Sequence, residues 1–249
     1  MRPAISIIIP TLNEEQYIPG LLSDLVKQTE KNFEVIISDG NSSDNTRKVV
    51  DKFKKDLKIS FYLSPKRHAS YQRNFGASKA KSDYLFFLDA DTRISTNIVE
   101  KAVTHIKKEN YSLYLPVIES SNPRFRYSAL VSIIVVTVRL LHKVGRPLSI
   151  GPIILIKKDL FDAIKGFDLH IIISEDHNLI IKAHKYGIKA HFLTDMSCVF
   201  SMRRLERDGM INVLWKYAWF TAETLIRGGV YGSTLKYEMG GQNYKQVQI

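Results

Sequence analysis

ISIIIPTLNEEQYIPGLLSDLVKQTEKNFEVIISDG, residues 5–40, consists of two short apolar runs with an amphipathic stretch between them. Ile5 to Ile9 is β-branched and apolar until Pro10 stops it, and Phe33 to Ser38 repeats the pattern before Asp39-Gly40. A run that is apolar at successive positions, rather than alternate ones, is the pattern of a strand buried on both faces, as in parallel sheets. Between the runs, Tyr17, Leu21, Leu22, Leu25 and Val26 fall at helical spacing. Asn13 is placed to cap a helix over residues 14–28, with Glu14 and Glu15 in its first turn. The unit is strand, helix, parallel strand.

The rhythm continues outward. The pattern predicts a helix over 45–54, a strand over 59–63, a helix over 71–80 and a strand over 84–88. Such alternation implies a doubly wound α/β sheet with helices on both faces. Ligands of such sheets bind outside the carboxyl ends of the strands. Pro10-Thr11, Asp39-Gly40 and Asp89-Ala90-Asp91 all fall there. Beyond residue 95 the pattern loosens to a helix over 96–108, a strand over 112–116, an apolar segment to Leu141, a strand after Gly151 and helices over 158–164 and 176–186. No repeat or linker divides the chain, so a single domain over 1–249 is expected.

Composition narrows the partners. With 45% hydrophobic and 24% charged residues the chain has the makings of a core. The net charge of +11 suggests an anionic partner, although lysines such as Lys52, Lys54, Lys107 and Lys108 also read as solvated helix faces. No basic helix or aromatic-basic motif points to nucleic acid. Cys198 is the only cysteine, and Met1-Arg2-Pro3 runs directly into a strand without a secretory pattern, so a cytoplasmic protein is expected. The histidines are dispersed and make no zinc pattern.

Asp89 and Asp91 emerge two residues apart at the end of an apolar strand. A hard divalent cation bound to phosphates takes one or two protein carboxylates, and this pair supplies that number. The same residues also suit an ordinary strand-end turn. In the polar turn Asp39-Gly40-Asn41-Ser42-Ser43-Asp44-Asn45-Thr46, Gly40 permits tight bending and Ser43 or Asp44 can cap the next helix. Asp39, held at the strand end, can accept a hydrogen bond from a base imide.

These segments together are informative. The hexapeptide Pro10-Thr11-Leu12-Asn13-Glu14-Glu15, then residues 38–46, then Gln72-Arg73-Asn74-Phe75-Gly76-Ala77, then Asp89-Ala90-Asp91-Thr92, in that order, resemble family 2 inverting glycosyltransferases. The resemblance implies a GT-A fold, a Rossmann-like, doubly wound mixed sheet with helices on both faces. It implies a nucleotide-binding half over 1–95 and an acceptor-binding half over 96–249. By the same likeness Pro10, Thr11 and Glu14 line the nucleotide, Asp39 recognises the base, and Arg73 lies near base or phosphate. Asp89, with Ala90 beside it, reaches the ribose side, and Asp91 holds a Mn2+ or Mg2+ that bridges the diphosphate. A divalent cation there stabilises the charge of a departing nucleoside diphosphate.

Glu175-Asp176 resembles the family's second acidic motif, which implies that Asp176 is the general base on the acceptor hydroxyl. The alternative is an acidic helix start capped by Ser174, a role that suits Glu175 in particular. Ser201-Met202-Arg203-Arg204 resembles a motif of non-processive members; Arg203 and Arg204 would fork onto the diphosphate, or else form a basic surface patch with Glu206 or Asp208. The signature of processive polysaccharide synthases does not follow Glu175-Asp176, which favours transfer of a single sugar.

From Ala129 to Val138 the chain is nearly all apolar, short of the about 20 residues a bilayer span needs. It reads as a buried core helix, or as an interfacial one flanked by Arg124, Arg126, Arg139, Lys143 and Arg146 on the inner face of a membrane. The aromatic stretch Trp215, Tyr217, Trp219, Phe220 reads as packing or as interfacial in the same way. The expected partners are a nucleoside-diphosphate-sugar and a glycan or polyprenyl-phosphate acceptor. The rival readings are a sugar-nucleotide-binding protein without catalysis and a nucleotidyltransferase, the latter normally opening on a glycine-rich phosphate loop where this chain has Pro10-Thr11-Leu12-Asn13.

Overall fold

The computed structural model describes residues 2–122, 124–151, 153–201, 206 and 208–231. In chain order the elements are β1 (Ile5–Thr11), α1 (Ile18–Val26), β2 (Phe33–Asp39), α2 (Thr46–Asp51), β3 (Ile59–Leu63), α3 (Ala69–Lys79), β4 (Tyr84–Phe87) and β5 (Arg93–Ile94). There follow α4 (Ile98–Glu109), β6 (Leu113–Ser120), α5 (Phe125–Lys143), β7 (Ile154–Lys157), α6 (Lys158–Ala163), α7 (Glu175–Lys185), β8 (His191–Phe200) and α8 (Met210–Arg227).

The eight strands form one mixed sheet in the order β3-β2-β1-β4-β7-β6-β8-β5. The first four in that order run parallel, with Thr11 opposite Asp39 and Ile8 opposite Phe87. β7 is antiparallel to both β4 and β6, and β8 pairs parallel with β6. The chain winds outward from β1 to β3 and then returns to β4 on the other side of β1. The β1/β4 boundary is thus the topological switch point, where a crevice opens at the strand ends.

The apolar runs of β1, β2 and β4 are explained by cover on both faces. Ile7, Ile9, Val35 and Phe86 pack with Leu21 and Leu22 of α1 and Val99 of α4. Ile8, Ile36 and Phe87 turn the other way, toward Ala77 of α3, Phe161 of α6 and Leu179 of α7. Gly76 lets α3 lie close on β1, because an added Cβ would come within 2.6 Å of Cγ2 of Ile8. Ile8 is fully buried and stiff at χ1. Gly76→Ala is therefore expected to lower the urea midpoint. The roughly 1 kcal/mol gained in helix propensity falls short of an overpacking cost of about 1–3 kcal/mol. Cys198 is fully buried, and burial pushes its thiol up into an unreactive state.

β5 follows β4 through the link 88–92, yet it lies four places along in the strand order. The Thr92 amide donates to the Asp89 carbonyl over 3.0 Å, so the link contains a turn. Its reach is then at most about 18 Å, whereas a flat sheet needs about 19 Å. The sheet curls, bringing β5 round to α1. There Arg93 donates to both oxygens of Asp24 at 2.6 and 2.7 Å, and the Ile94 amide also donates to Asp24.

Several local expectations are corrected. α1 starts at Ile18 rather than at residue 14, because Asn13 takes a left-handed conformation (φ 55°) and residues 14–17 form a turn instead. Ser174 is also left-handed (φ 69°) and makes no side-chain cap. In the Asp39–Thr46 turn it is Asn41 that takes positive φ (63°), while Gly40 makes room for the Gln72 amide, 3.2 Å from where a Cβ would stand. The apolar segment is one 19-residue helix, α5, and it is not core: only 17% of its apolar window is buried. β5, β8 and α8 carry no counterpart in the sequence reading.

Candidate functional site

The loops after β1 and β2 satisfy each other's polar groups. The Asn13 amide donates to Ser42 Oγ (2.9 Å), and the Ser43 amide returns to Asn13 Oδ1 (2.8 Å). The Glu15 amide donates to Asp44 (3.1 Å), the Asn45 amide to Glu15 (2.8 Å), and the Glu14 amide to Thr46 Oγ1 (2.9 Å). Asp44 Oδ1 accepts the Thr46 amide at 2.9 Å, a turn contact leading into α2; the cap position is Asn45, without a side-chain cap, and not Ser43 or Asp44. Thr11 and Glu14 are buried within this lacing, and Pro10 is half-buried.

Asp39 sits at its centre. Its Oδ1 accepts from Thr11 Oγ1 (2.7 Å) and Ser42 Oγ (2.6 Å), and its Oδ2 accepts the Ser42 amide (2.8 Å). An ionised carboxylate offers about four acceptor positions. Three are filled, and the carboxylate is rigidly aimed.

Three successive residues of α3 hold three different parts of the site. Gln72 donates to the carbonyls of Thr11 (2.7 Å) and Ser38 (3.0 Å), fixing the ends of β1 and β2. Asn74 pairs with the backbone of Phe167, giving and accepting at 2.8 Å. Between them Arg73, only 4% exposed, donates to Asp89 at 2.8 Å and to Glu175 at 2.6 Å, with its guanidinium 5.4 Å from the Phe167 ring centre. Burial opposes the arginine's charge, and the carboxylates of Asp89 and Glu175 more than offset it, so the group is held above its ordinary range. Burial pushes the Glu175 carboxyl up; Arg73 pulls it back, and neighbouring Asp176 adds repulsion.

Residues 89–92 make the turn at the end of β4, with Ala90 buried in the core and Asp89 and Asp91 half-buried on either side of it. Asp89 is engaged by Arg73. No group of three or more His, Cys, Asp or Glu side chains could hold a metal among the described residues. The turn itself carries two carboxylates, Asp89 and Asp91, the number that a cation held largely by phosphates and water takes from a protein.

Asp176, in the first turn of α7, follows directly on the buried Glu175. His177 Nδ1 accepts the Ser149 amide at 3.2 Å, which requires the lone pair on that nitrogen. The approach of Nδ1 to Asp176 at 3.8 Å is therefore not a hydrogen bond. The Arg73–Glu175 bond ties this acidic pair to the β4 end across 102 residues of chain. Arg203 and Arg204 lie outside the described residues.

The structure thus brings Pro10, Thr11, Glu14, Asp39 and the Asp89-Ala90-Asp91 turn to the strand ends around the switch point, and links Asp176 to them through Glu175. Sequence reasoning missed Gln72, Asn74 and Phe167 as organisers, and took Glu175 for a helix-start acid. The flanks of Arg73 were the available signal, since two amide side chains beside a buried arginine suit backbone bracing.

Residues 6–167 match the Glycosyl transferase family 2 model, well over half of the chain. The chain belongs to that family. An uncharacterised glycosyltransferase of Haemophilus influenzae is 32% identical over 190 residues, 72% of this chain and 61% of that protein. The poly(ribitol-phosphate) β-N-acetylglucosaminyltransferase TarS of Staphylococcus aureus is 31% identical over 123 residues, 48% of this chain and 22% of its own length. The crystal structure of TarS residues 1–349 with UDP-GlcNAc superposes with a TM-score of 0.67 at 22% identity, over 79% of this chain and 58% of that one. The mannosyltransferase PcManGT of Pyrobaculum calidifontis, in complex with GDP-Man and Mn2+, gives 0.64 at 21% identity, over 80% and 57%. These likenesses show the GT-A fold. The chain spans under two thirds of each of these proteins.

Proposed function

We propose that the chain is an inverting, non-processive glycosyltransferase that moves one sugar from a nucleoside-diphosphate-sugar to an acceptor hydroxyl. The observation that carries this reading is the Asp89–Arg73–Glu175 bridge. It ties Glu175, the neighbour of Asp176, to the β4 end, which supports reading Asp176 as a base beside a donor site at the strand ends.

In this reading residues 1–95 bind the donor and residues 96–249 the acceptor. Pro10, Thr11 and Glu14 line the nucleotide, and Asp39 accepts the base N–H. Arg73 positions Asp89 toward the ribose, while Arg203 and Arg204 reach the diphosphate. Asp91 would hold Mn2+ or Mg2+ together with diphosphate oxygens, which neutralises charge on the leaving group without a proton donor. Asp176 takes the proton of the acceptor hydroxyl as its oxygen attacks the anomeric carbon. The bond to the diphosphate breaks on the opposite side, its electron pair leaves with the diphosphate, and the centre inverts. The UDP-GlcNAc of TarS and the GDP-Man and Mn2+ of PcManGT support a nucleotide sugar and a divalent cation. The station that fits is the cytoplasm, at the inner face of the membrane. A lipid phosphate acceptor is the second reading, favoured by the exposed apolar helices described below.

The test is a thermal-shift panel of uridine, guanosine and thymidine diphosphates with and without Mn2+. A ligand at a hundredfold its Kd adds about 2.7 kcal/mol to the folded state. One nucleotide is expected to raise Tm by several degrees in Mn2+ only, and Asp91→Ala is expected to lose that rise. A folded protein that responds to none of them overturns the donor site. Turnover of the responding nucleotide's sugar then separates an enzyme from a binding protein.

A further inference from the structure

α5 and α8 are apolar on two sides, unlike ordinary surface helices, which bury an apolar stripe and show a charged one. They pack on each other through Tyr127 and Val131 against Val213 and through Val138 with Leu225 beside it, and the same inner side of α5 rests on Ile118 of β6 and Phe192 of β8. Each helix also exposes a second apolar stripe. On α8 the outward positions are Ile211, Trp215, Ala218, Trp219, Ala222 and Ile226, with Ile211 83% and Ile226 82% exposed. On α5 they include Phe125, Ile133, Val136 and Leu140, with Phe125 86% exposed. The Trp215 and Trp219 rings stack at 6.0 Å on this outer side.

The rim of that surface is cationic. Between residues 124 and 146 the chain carries Arg124, Arg126, Arg139, Lys143 and Arg146, all exposed, and no acidic residue. Two copies meeting symmetrically would set these cations against one another, so the charge pattern selects an anionic occupant over a second copy. α5 has the length and composition of a membrane span, 19 residues at a mean hydropathy of 1.4. Its two ends, however, join β6 and β7, which are paired neighbours in one sheet. Both ends are therefore on the same side of any bilayer, and the helix lies in the interface rather than across it. Aromatic and aliphatic residues on one side, with basic residues at the rim, are what an interfacial helix needs.

We propose that the α5/α8 surface docks the protein on an anionic lipid bilayer. Docking stands on these two helices alone. Its bearing on the acceptor, which would then be presented from the membrane, rests on the transfer reading above.

The chain contains two tryptophans, Trp215 and Trp219, and both lie on this surface, so intrinsic fluorescence reports it directly. The full chain is titrated with vesicles of phosphatidylcholine alone, and of phosphatidylcholine mixed with phosphatidylglycerol, with and without brominated acyl chains. The anionic vesicles are expected to shift the emission to the blue, to quench it when brominated, and to carry the protein down on sedimentation. Val136→Glu with Ile226→Glu, both on the exposed stripes, is expected to weaken that binding by roughly tenfold or more. Arg139→Glu with Lys143→Glu is expected to do the same. Both variants should keep the wild-type Tm and the wild-type nucleotide shift. Absence of binding to the anionic vesicles overturns the proposal. So does a blue shift that grows with protein concentration without lipid, which assigns the surface to a second copy, or one produced by polyglutamate but not by vesicles, which assigns it to an acidic protein. Because nucleotide binding is read separately, failure here leaves the donor site untouched, and failure there leaves docking untouched.

Discussion

Asp176→Asn is expected to lower kcat for transfer to a hydroxyl acceptor by about 10²–10⁴-fold, the range over which a positioned general base contributes. The substitution keeps the size of the side chain and removes its basicity. The Arg73–Glu175 ion pair next to it is left in place, so the fold and the donor site are expected to be unchanged, with wild-type Tm and wild-type nucleotide shift. Initial rates at saturating donor and acceptor give the comparison, because KM should move little when only a transition-state interaction is lost. The outcome also separates the two acceptor classes. A lipid phosphate is already an anion at neutral pH and has no proton to give up before it attacks. A variant that still transfers to a phosphate while failing on hydroxyls identifies the phosphate as the acceptor. Undiminished transfer to a hydroxyl would remove Asp176 from the mechanism.

The largest stability effect is expected at Arg73. Arg73→Ala leaves Glu175 buried without its cation, and breaking a buried pair in this way costs about 3–5 kcal/mol. Arg73→Lys keeps the charge but loses the planar fork that serves Asp89 and Glu175 at once, so it should fall between the two. Replacing both members, Arg73→Met with Glu175→Leu, should recover most of the loss, since the buried carboxylate is gone and only the half-buried Asp89, which reaches solvent, loses its cation. Urea unfolding of the four proteins measures this. The pair also shapes the pH response. Glu175 has its folded-state pKa raised above the unfolded one. Its contribution is therefore full below the unfolded value, and it is lost as pH rises through the folded value. Glu175→Gln should flatten that part of the stability profile.

Much of the chain up to residue 95 was legible because its physics is local. β1 and β2 are apolar at successive positions since both faces are covered, and the helix between them keeps its spacing. The acidic turn after β4 stands out because a carboxylate pair directly after Tyr84-Leu85-Phe86-Phe87-Leu88 is a sharp change in chemistry. β8 escaped notice for a physical reason. Its pairing with β6 shifts between Leu193 and Ser197, so buried Leu193 and Met196 are three apart and the period of two is broken. α8 escaped because it is apolar on opposite sides, with Val213 and Phe220 inward and Ile211 and Trp219 outward. α5 was legible as an apolar segment, core or interfacial, and the choice between the two was not, since hydropathy records composition and not what covers it. The role of Glu175 lay out of reach because its partner is 102 residues away, and helix starts favour acids whatever else they do.

The short link between β4 and β5 has a consequence for how the molecule opens. Its turn sits between a strand end locked in the sheet and an arginine clamped to α1. The link has almost no slack, so fraying of the β5/β8 edge must drag Asp89-Ala90-Asp91 out of place, and loosening of that turn must release the edge. The β4 end in the middle of the sheet and β5 at its edge therefore belong to one cooperative unit of local unfolding. A ligand that steadies the turn draws its protection across the sheet at the same time.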